Sequence, residues 1–383
     1  MQNYVIIYKL LVTLVFFTYL DFIPYSWALK DIGVILFIAY FFLTFDFKSI
    51  RLPSLSLAYL YISMLLVVLA NVFLYGLNPI IMISIRFLFI YPLLIIVGYN
   101  LSGYFSEKTL FNPIAFYSLI VIFVALLEIF IPDAVHAIFS SETKMKALYR
   151  TGAGYGLGSI FSDRVALGLC LVLAQVFSRL YLSENKMIVA SLFIFMLVSL
   201  TLNKTAMVCS SVILLKDVLK PVFLSRSSAL KKVSSIYLLV CVFLLSLVFF
   251  NESYIALFTS IADANFFTLS GRTTIWQSLD ISIQPNFFAV GASSFSENKM
   301  VLDNAFIRFV ITYGLLIIPA LLSVLIVCLV SYRGSNEILN LLVLILVFLA
   351  MTIDLFAQAF FITPIWFVLG CYINSDFRNR SRL

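Results

Sequence analysis

Six cations stand where cations are costly or unexpected in this chain: Arg86, Arg150, Arg164, Lys204, Arg272 and Arg308. A guanidinium donates paired hydrogen bonds to phosphate oxygens, and an ammonium adds a point charge. Such a set suits an anionic, phosphate-bearing ligand. Singly, Arg86, Arg164 and Arg308 could also snorkel or pair with Asp163, Asp303 or Asp354. The carboxylates on the same side are Asp163, Asp263, Asp280, Glu297 and Asp303. A carboxylate that reaches a hydroxyl can take its proton, and an apolar neighbourhood strengthens its hold on that proton. Asp303 precedes Asn304 and lies about one helical turn before Arg308, so it leads as base candidate, with Glu297 second. An aspartate at that place also fits an ordinary helix N-cap. His136 is a weaker candidate base, because a single loop histidine is usually just solvated. Glu128, deep in an apolar run, reads as a structural polar contact or a proton relay.

The elements that must hold these groups follow from composition. The chain has 383 residues, 63% of them hydrophobic and 11% charged. A soluble domain carries about a quarter charged residues, and a disordered chain needs low hydrophobicity and high charge, so both classes are excluded. Apolar runs of membrane-crossing length recur throughout. The expectation is an all-α polytopic integral membrane protein with about 12 transmembrane helices, forming a single membrane domain over 1–383. The spans are read at 4–20, 31–45, 55–75, 79–97, 113–131, 157–178, 187–202, 205–224, 233–250, 304–330, 339–353 and 355–371. One long helix through 187–215 is the alternative to the pair that meets at Asn203-Lys204. The first apolar run reads as a retained helix, not a cleaved signal peptide.

The net charge of +7 fits topology better than nucleic acid, for which no basic, aromatic-interleaved domain exists. Lys48, Arg51, Arg179, Lys186 and Arg333 fall between spans, Lys216, Lys220, Arg226, Lys231 and Lys232 in the segment 216–232, and Arg378, Arg380 and Arg382 in the tail. Twelve passes with both termini cytoplasmic put all of them inside, whereas merging 187–215 would put a basic cluster outside. The two longest outward segments are then 132–156 and 251–303. A loop as long as 251–303 is more often functional than a connector. Within it, 271–283 suits a short amphipathic helix with Trp276 as an interfacial anchor. All six cations gather at the outward side; Arg86, Arg164 and Arg308 sit within roughly 10 Å of it.

Other chemistry is thinly represented. Cys170, Cys209, Cys241, Cys328 and Cys371 have no paired spacing, and a single histidine excludes a multi-histidine metal site. No metal and no cofactor are expected. No Asp-x-Asp pair occurs, which weakens a metal-dependent nucleotide-sugar mechanism. The glycines of 152–158 do not make a dinucleotide fingerprint. Their amides could nest a phosphate, but they more readily read as a loosened loop.

Several short motifs carry a family likeness. Arg150-Thr151-Gly152, followed by Gly158-Ser159-Ile160-Phe161-Ser162-Asp163-Arg164, is similar to an Arg-x-x-Gly-x-Phe stretch leading into a helix, with looser spacing. Leu200-Thr201-Leu202-Asn203-Lys204-Thr205 is similar to a turn that usually carries Ser-Arg, with Lys204 standing in. Ser270-Gly271-Arg272 with Trp276 looks like a Gly-Arg and Trp motif of a large loop. Asp303-Asn304-Ala305-Phe306 and Tyr313-Gly314-Leu315 look like the motif that closes it. Together they resemble the O-antigen polymerase (Wzy) family, within the O-antigen polymerase and ligase superfamily of bacterial envelope glycosyltransferases. Ligases often carry histidine in the closing motif; aspartate here favours the polymerase.

The resemblance implies a GT-C-like fold with one large periplasmic loop, 251–303, and a smaller one, 132–156. It implies an inner-membrane enzyme of lipopolysaccharide biosynthesis that performs a metal-independent, inverting glycosyl transfer at the periplasmic face. Donor and acceptor would be a polysaccharide and an oligosaccharide repeat unit, each linked to undecaprenyl pyrophosphate, with a chain-length regulator as a protein partner. Arg150, Arg272, Arg164, Arg86, Lys204 and Arg308 would bind pyrophosphate, Arg272 would also serve catalysis, and Asp303 or Glu297 would take the acceptor proton. The alternatives are the O-antigen ligase, a flippase for lipid-linked repeat units and a small-molecule permease. A large outward loop argues against a rocking transporter.

Overall fold

Apolar runs with few helix breakers form helices through most of the chain for which the computed structural model describes placement. The described residues are 26–44, 55–76, 89–139, 149–150, 154–161, 163–223, 337–352 and 359–374, with isolated positions in 3–11, at 85 and in 317–322. They divide into two compact units, one of residues 1–18, 25–114 and 281–383, the other of 19–24 and 115–280.

The first unit contains α1 (Ser26–Thr44), α2 (Leu55–Tyr75), α3 (Leu94–Leu101), the start of α4 (Glu107–Phe130), and two later helices. The bounds read for the span at 55–75 coincide with α2. It stops there because Gly76 adopts a left-handed φ of +68° and returns its N–H to the Val72 carbonyl at 2.9 Å. The span read at 79–97 is described from residue 89. A tightened turn at Tyr91–Leu93, around Pro92, leads into α3 and carries the helix on to Leu101. The Tyr91 hydroxyl donates to Asp31 on α1, and that of Tyr61 on α2 donates to the Pro92 carbonyl.

α3 crosses the last helix of this unit at backbone contact. A Cβ on Gly98 would overlap the Phe367 carbonyl, 3.1 Å from its carbon, and one on Gly370 would lie 2.8 Å from Ile95 Cα. Trp366, Tyr372, Phe37 and Phe367 are fully buried in this unit.

In the second unit the remainder of α4 is followed by α5 (Pro132–Phe139), β1 (Tyr149–Arg150) and β2 (Gly154–Tyr155). Then come α6 (Arg164–Phe177), α7 (Glu184–Leu200) and α8 (Lys204–Phe223). The strands pair antiparallel, Tyr149 with Tyr155 and Arg150 with Gly154. They form the only sheet among the described residues, which are otherwise helical. The two late helices of the first unit are α9 (Glu337–Thr352) and α10 (Ala359–Ile373). The latter covers residues 359–371 of the span read at 355–371 and runs two residues further; 355–358 lie outside the described residues.

Two helix boundaries correct or decide the sequence reading. The span read at 157–178 starts at Arg164, seven residues later. Ser159 takes a left-handed φ of 51°, residues 159–161 form a tight 3-10 turn, and Asp163 caps α6 by accepting from Val165 N at 2.8 Å. The single helix through 187–215 is not formed. Leu202 is left-handed at φ 55°, and the Asn203 carboxamide accepts from Thr205 N and Ala206 N, opening α8.

Among the described residues one helix, α4, is long and apolar enough to cross a membrane; shorter apolar stretches include Asp31–Thr44, Tyr61–Phe73 and Lys186–Leu200. Large apolar side chains face outward on several helices, most fully on α1, α2 and α4: Leu43 is 85% exposed, Phe73 91%, Leu119 65% and Phe130 78%. The spans read at 233–250 and most of 304–330, and the loop 251–303 with its 271–283 helix, lie outside the described residues.

Candidate functional site

Three of the six cations belong to one end of the second unit. Arg150 lies in β1, opposite Gly154, two residues before Gly156. Arg164 is the first residue of α6, and Lys204 the first of α8. Segment 156–164 ties these places together. Leu157 N–H donates to the Leu200 carbonyl at 3.0 Å, joining the segment to the end of α7. The Arg164 side chain lies along Gly156, where an added Cβ would meet Arg164 Cδ at 2.6 Å and the Thr201 carbonyl oxygen at 2.8 Å. Gly156 is therefore glycine because an arginine stem and a backbone carbonyl occupy the space of a side chain. Two helix N-termini, of α6 and α8, open at this end and add partial positive charge.

Glu128 fixes the same segment from below. It is 1% exposed, near the end of α4. Its Oε2 accepts from Ser159 N at 2.6 Å, and both oxygens lie 3.2 Å from Gly158 N. The Ser159 hydroxyl donates to the Val121 carbonyl at 2.9 Å, so this strained serine is held through both its amide and its side chain. His136 Nε2 stands 3.6 Å from Glu128 Oε1.

Of the two readings of Glu128, its bonds to the Gly158 and Ser159 amides favour the structural polar contact, and two other expectations change here. His136 is not a solvated loop residue: it lies in α5, 8% exposed, against that carboxylate. The amides of Gly158 and Ser159 do not form a nest open to phosphate, because the Glu128 carboxylate already occupies them. Asp163 serves as a helix cap. Arg86, Arg272, Glu297, Asp303 and Arg308, as well as Asp354, lie outside the described residues.

Away from this end, a buried polar network that the sequence reading missed joins α6, α7 and α8. Gln175 Nε2 donates to Ser191 Oγ at 2.8 Å and to the Ser210 carbonyl at 3.2 Å, while Gln175 Oε1 accepts from Ser210 Oγ at 2.6 Å. Ser191 Oγ donates to Asp217 Oδ2 at 2.6 Å. Arg179 pairs with the other Asp217 oxygen and donates to the Gln175 carbonyl at 2.6 Å. Arg179, read as a basic group in a loop, is thus a buried ion-pair partner, with its side chain 5% exposed. The available signal was a glutamine four residues before an arginine, inside an otherwise apolar run. Cys170, Cys209 and Cys371 are buried and unbridged. No protein-family model matches the chain, and no curated protein matches it.

Proposed function

We propose that this chain is a membrane glycosyltransferase, an O-antigen polymerase of the bacterial inner membrane. It moves a glycan from undecaprenyl pyrophosphate onto a lipid-linked repeat unit at the periplasmic face. The observation that carries the reading is that the chain positions of Arg150, Arg164 and Lys204 lie at one end of a helical unit, beside two helix N-termini. The outward-facing apolar side chains of α1, α2 and α4 support a lipid surrounding, with the remaining passes supplied by the apolar runs of the sequence.

In the proposed reaction the acceptor hydroxyl oxygen attacks the anomeric carbon of the donor sugar from the face opposite the leaving group. The bond from that carbon to the pyrophosphate oxygen breaks, and undecaprenyl pyrophosphate departs with the electron pair. Asp303 or Glu297 takes the hydroxyl proton. Charge grows on the departing pyrophosphate, and preorganised cations stabilise it as it forms. Arg150, Arg164 and Lys204 serve there, joined by Arg86, Arg272 and Arg308. A chain-length regulator is the expected protein partner.

The test is the surface-polysaccharide ladder of a host with the gene deleted, run beside its lipid-linked pool. A single repeat on lipid A core is the expected result. Long polymer stranded on the carrier lipid would assign the ligase. Single lipid-linked units with nothing attached to core would assign the flippase. Complementation by Arg150→Ala or Arg272→Ala should leave the ladder short; a ladder of full length with both variants would overturn the assignment of these arginines.

A further inference from the structure

We propose that Glu128 is a positioning residue for Arg164, acting through segment 156–164, with His136 as its buried companion. The proposal rests on the reading of Arg164 as a pyrophosphate-binding cation. A carboxylate buried to 1% exposure is costly unless its lone pairs are filled, and here two consecutive amides and an imidazole surround it. Those amides belong to the residues that set the path of the chain into α6. Ser159 holds a left-handed backbone that a serine rarely adopts, and Glu128 grips that amide at 2.6 Å. Five residues on, after one tight turn and the Asp163 cap, stands Arg164. From the other side, Gly156 leaves the groove in which the Arg164 stem lies, and Leu157 is tied to Leu200.

Segment 156–164 is therefore fixed at 157 by α7, at 158 and 159 by Glu128, and at 163 by its own cap. Glu128 supplies the part of this fixing that comes from α4. A guanidinium must meet its ligand to within a fraction of an ångström to stabilise a developing charge. Removing the carboxylate lets Ser159 relax towards ordinary backbone angles and shifts the start of α6. The ligand loses Arg164 although the arginine is still present.

The experiment uses the full-length protein in lipid nanodiscs, with undecaprenyl pyrophosphate as probe and undecaprenol as control. Two quantities are read: hydrogen exchange of the amides in 156–164, and probe affinity. Glu128→Ala should speed exchange at 157–161 and weaken the probe about tenfold. Arg164→Ala should weaken it by a similar factor, and the double variant should lose no more than either single one. Gly156→Ala, which crowds the Arg164 stem from the opposite side, should weaken the probe with exchange at Gly158 and Ser159 unchanged.

Losses that multiply to about a hundredfold in the double variant would overturn the proposal, because Glu128 would then act elsewhere. So would unchanged exchange in Glu128→Ala. If Glu128→Ala does not fold, Glu128→Gln keeps one acceptor oxygen and should fall between wild type and loss; no change in either quantity would again overturn the proposal. If wild type binds undecaprenyl pyrophosphate no better than undecaprenol, the pyrophosphate reading fails. Exchange confined to 156–164 would then still support the positioning role of Glu128.

Discussion

In the first unit α3 and α10 cross where Gly98 and Gly370 leave no side chain between two backbones, whereas in the second unit α6, α7 and α8 are joined by a carboxamide, two hydroxyls and an ion pair. The first crossing depends on missing atoms and tolerates no addition. The second depends on a closed set of donors and acceptors and tolerates no subtraction. Both are tight, but they fail in opposite directions. The backbone crossing gains dispersion contacts over many atoms. The polar network concentrates its contribution in a few groups, each expensive to leave unpaired.

The sharpest way to break the comparison is Asp217→Ala. It leaves Arg179 buried opposite no carboxylate, and the expected loss is about 3–5 kcal/mol, measured by denaturant unfolding of the purified protein. Replacing both partners, Arg179→Met with Asp217→Leu, should return most of that loss. A loss below about 1 kcal/mol for Asp217→Ala would mean the network does not hold the three helices. Next comes Gly370→Ala. The obstructing atoms are backbone atoms of Ile95, which no rotamer change moves, so the helices must part at a cost of about 3 kcal/mol. The readout is the thermal midpoint together with crosslinking between α3 and α10.

A smaller effect is expected for Gln175→Leu, which removes the centre of the network but leaves the ion pair. The expected loss is about 2 kcal/mol by the same unfolding measurement. If it equals that of Asp217→Ala, the ion pair contributes nothing of its own. The smallest effect belongs to Asp163→Ala, which takes the cap from α6 and touches neither crossing. It should cost about 1 kcal/mol, and a much larger loss would show that segment 156–164 carries stability for the whole unit.

The sequence was most legible where a local rule decides structure alone. α2 ends at Gly76 because only glycine takes the left-handed turn there cheaply. The break before Lys204 was legible from asparagine, a good cap, and from the charge bookkeeping of the loops. The start of α6 was placed too early because Leu157, Ile160 and Phe161 were counted into the apolar run that follows, although Ser162-Asp163-Arg164 interrupts it. The left-handed Ser159 and the Asp163 cap set the boundary instead. His136 and Glu128 were legible as singular residues but not as neighbours. Their pairing depends on α5 folding back over the turn at 159–161, a tertiary event that spacing does not encode. The polar network was missed for the same reason: Gln175, Ser191, Ser210 and Asp217 are each unremarkable in their own helices. Of the cations, the positions of Arg150, Arg164 and Lys204 lie at one end of the second unit, and Arg86, Arg272 and Arg308 lie outside the described residues.

The contact between Glu128 and segment 158–159 also sets an order of synthesis. The carboxylate leaves the ribosome 30 residues ahead of Gly158. At ordinary elongation rates that is a wait of about 2–6 s. On the membrane reading proposed above, α4 waits with its glutamate still apart from the two amides that later fill its lone pairs, a costly state for a carboxylate inside a bilayer. That cost favours keeping this end of the nascent helix at the aqueous surface until the glycine-rich segment arrives. Arrival of the two amides permits the helix to settle to its final depth. On this reading a residue that anchors a loop in the finished protein also delays its helix during biogenesis, and Glu128→Ala should shorten the time for which α4 stays accessible to water-soluble labels on newly made chains.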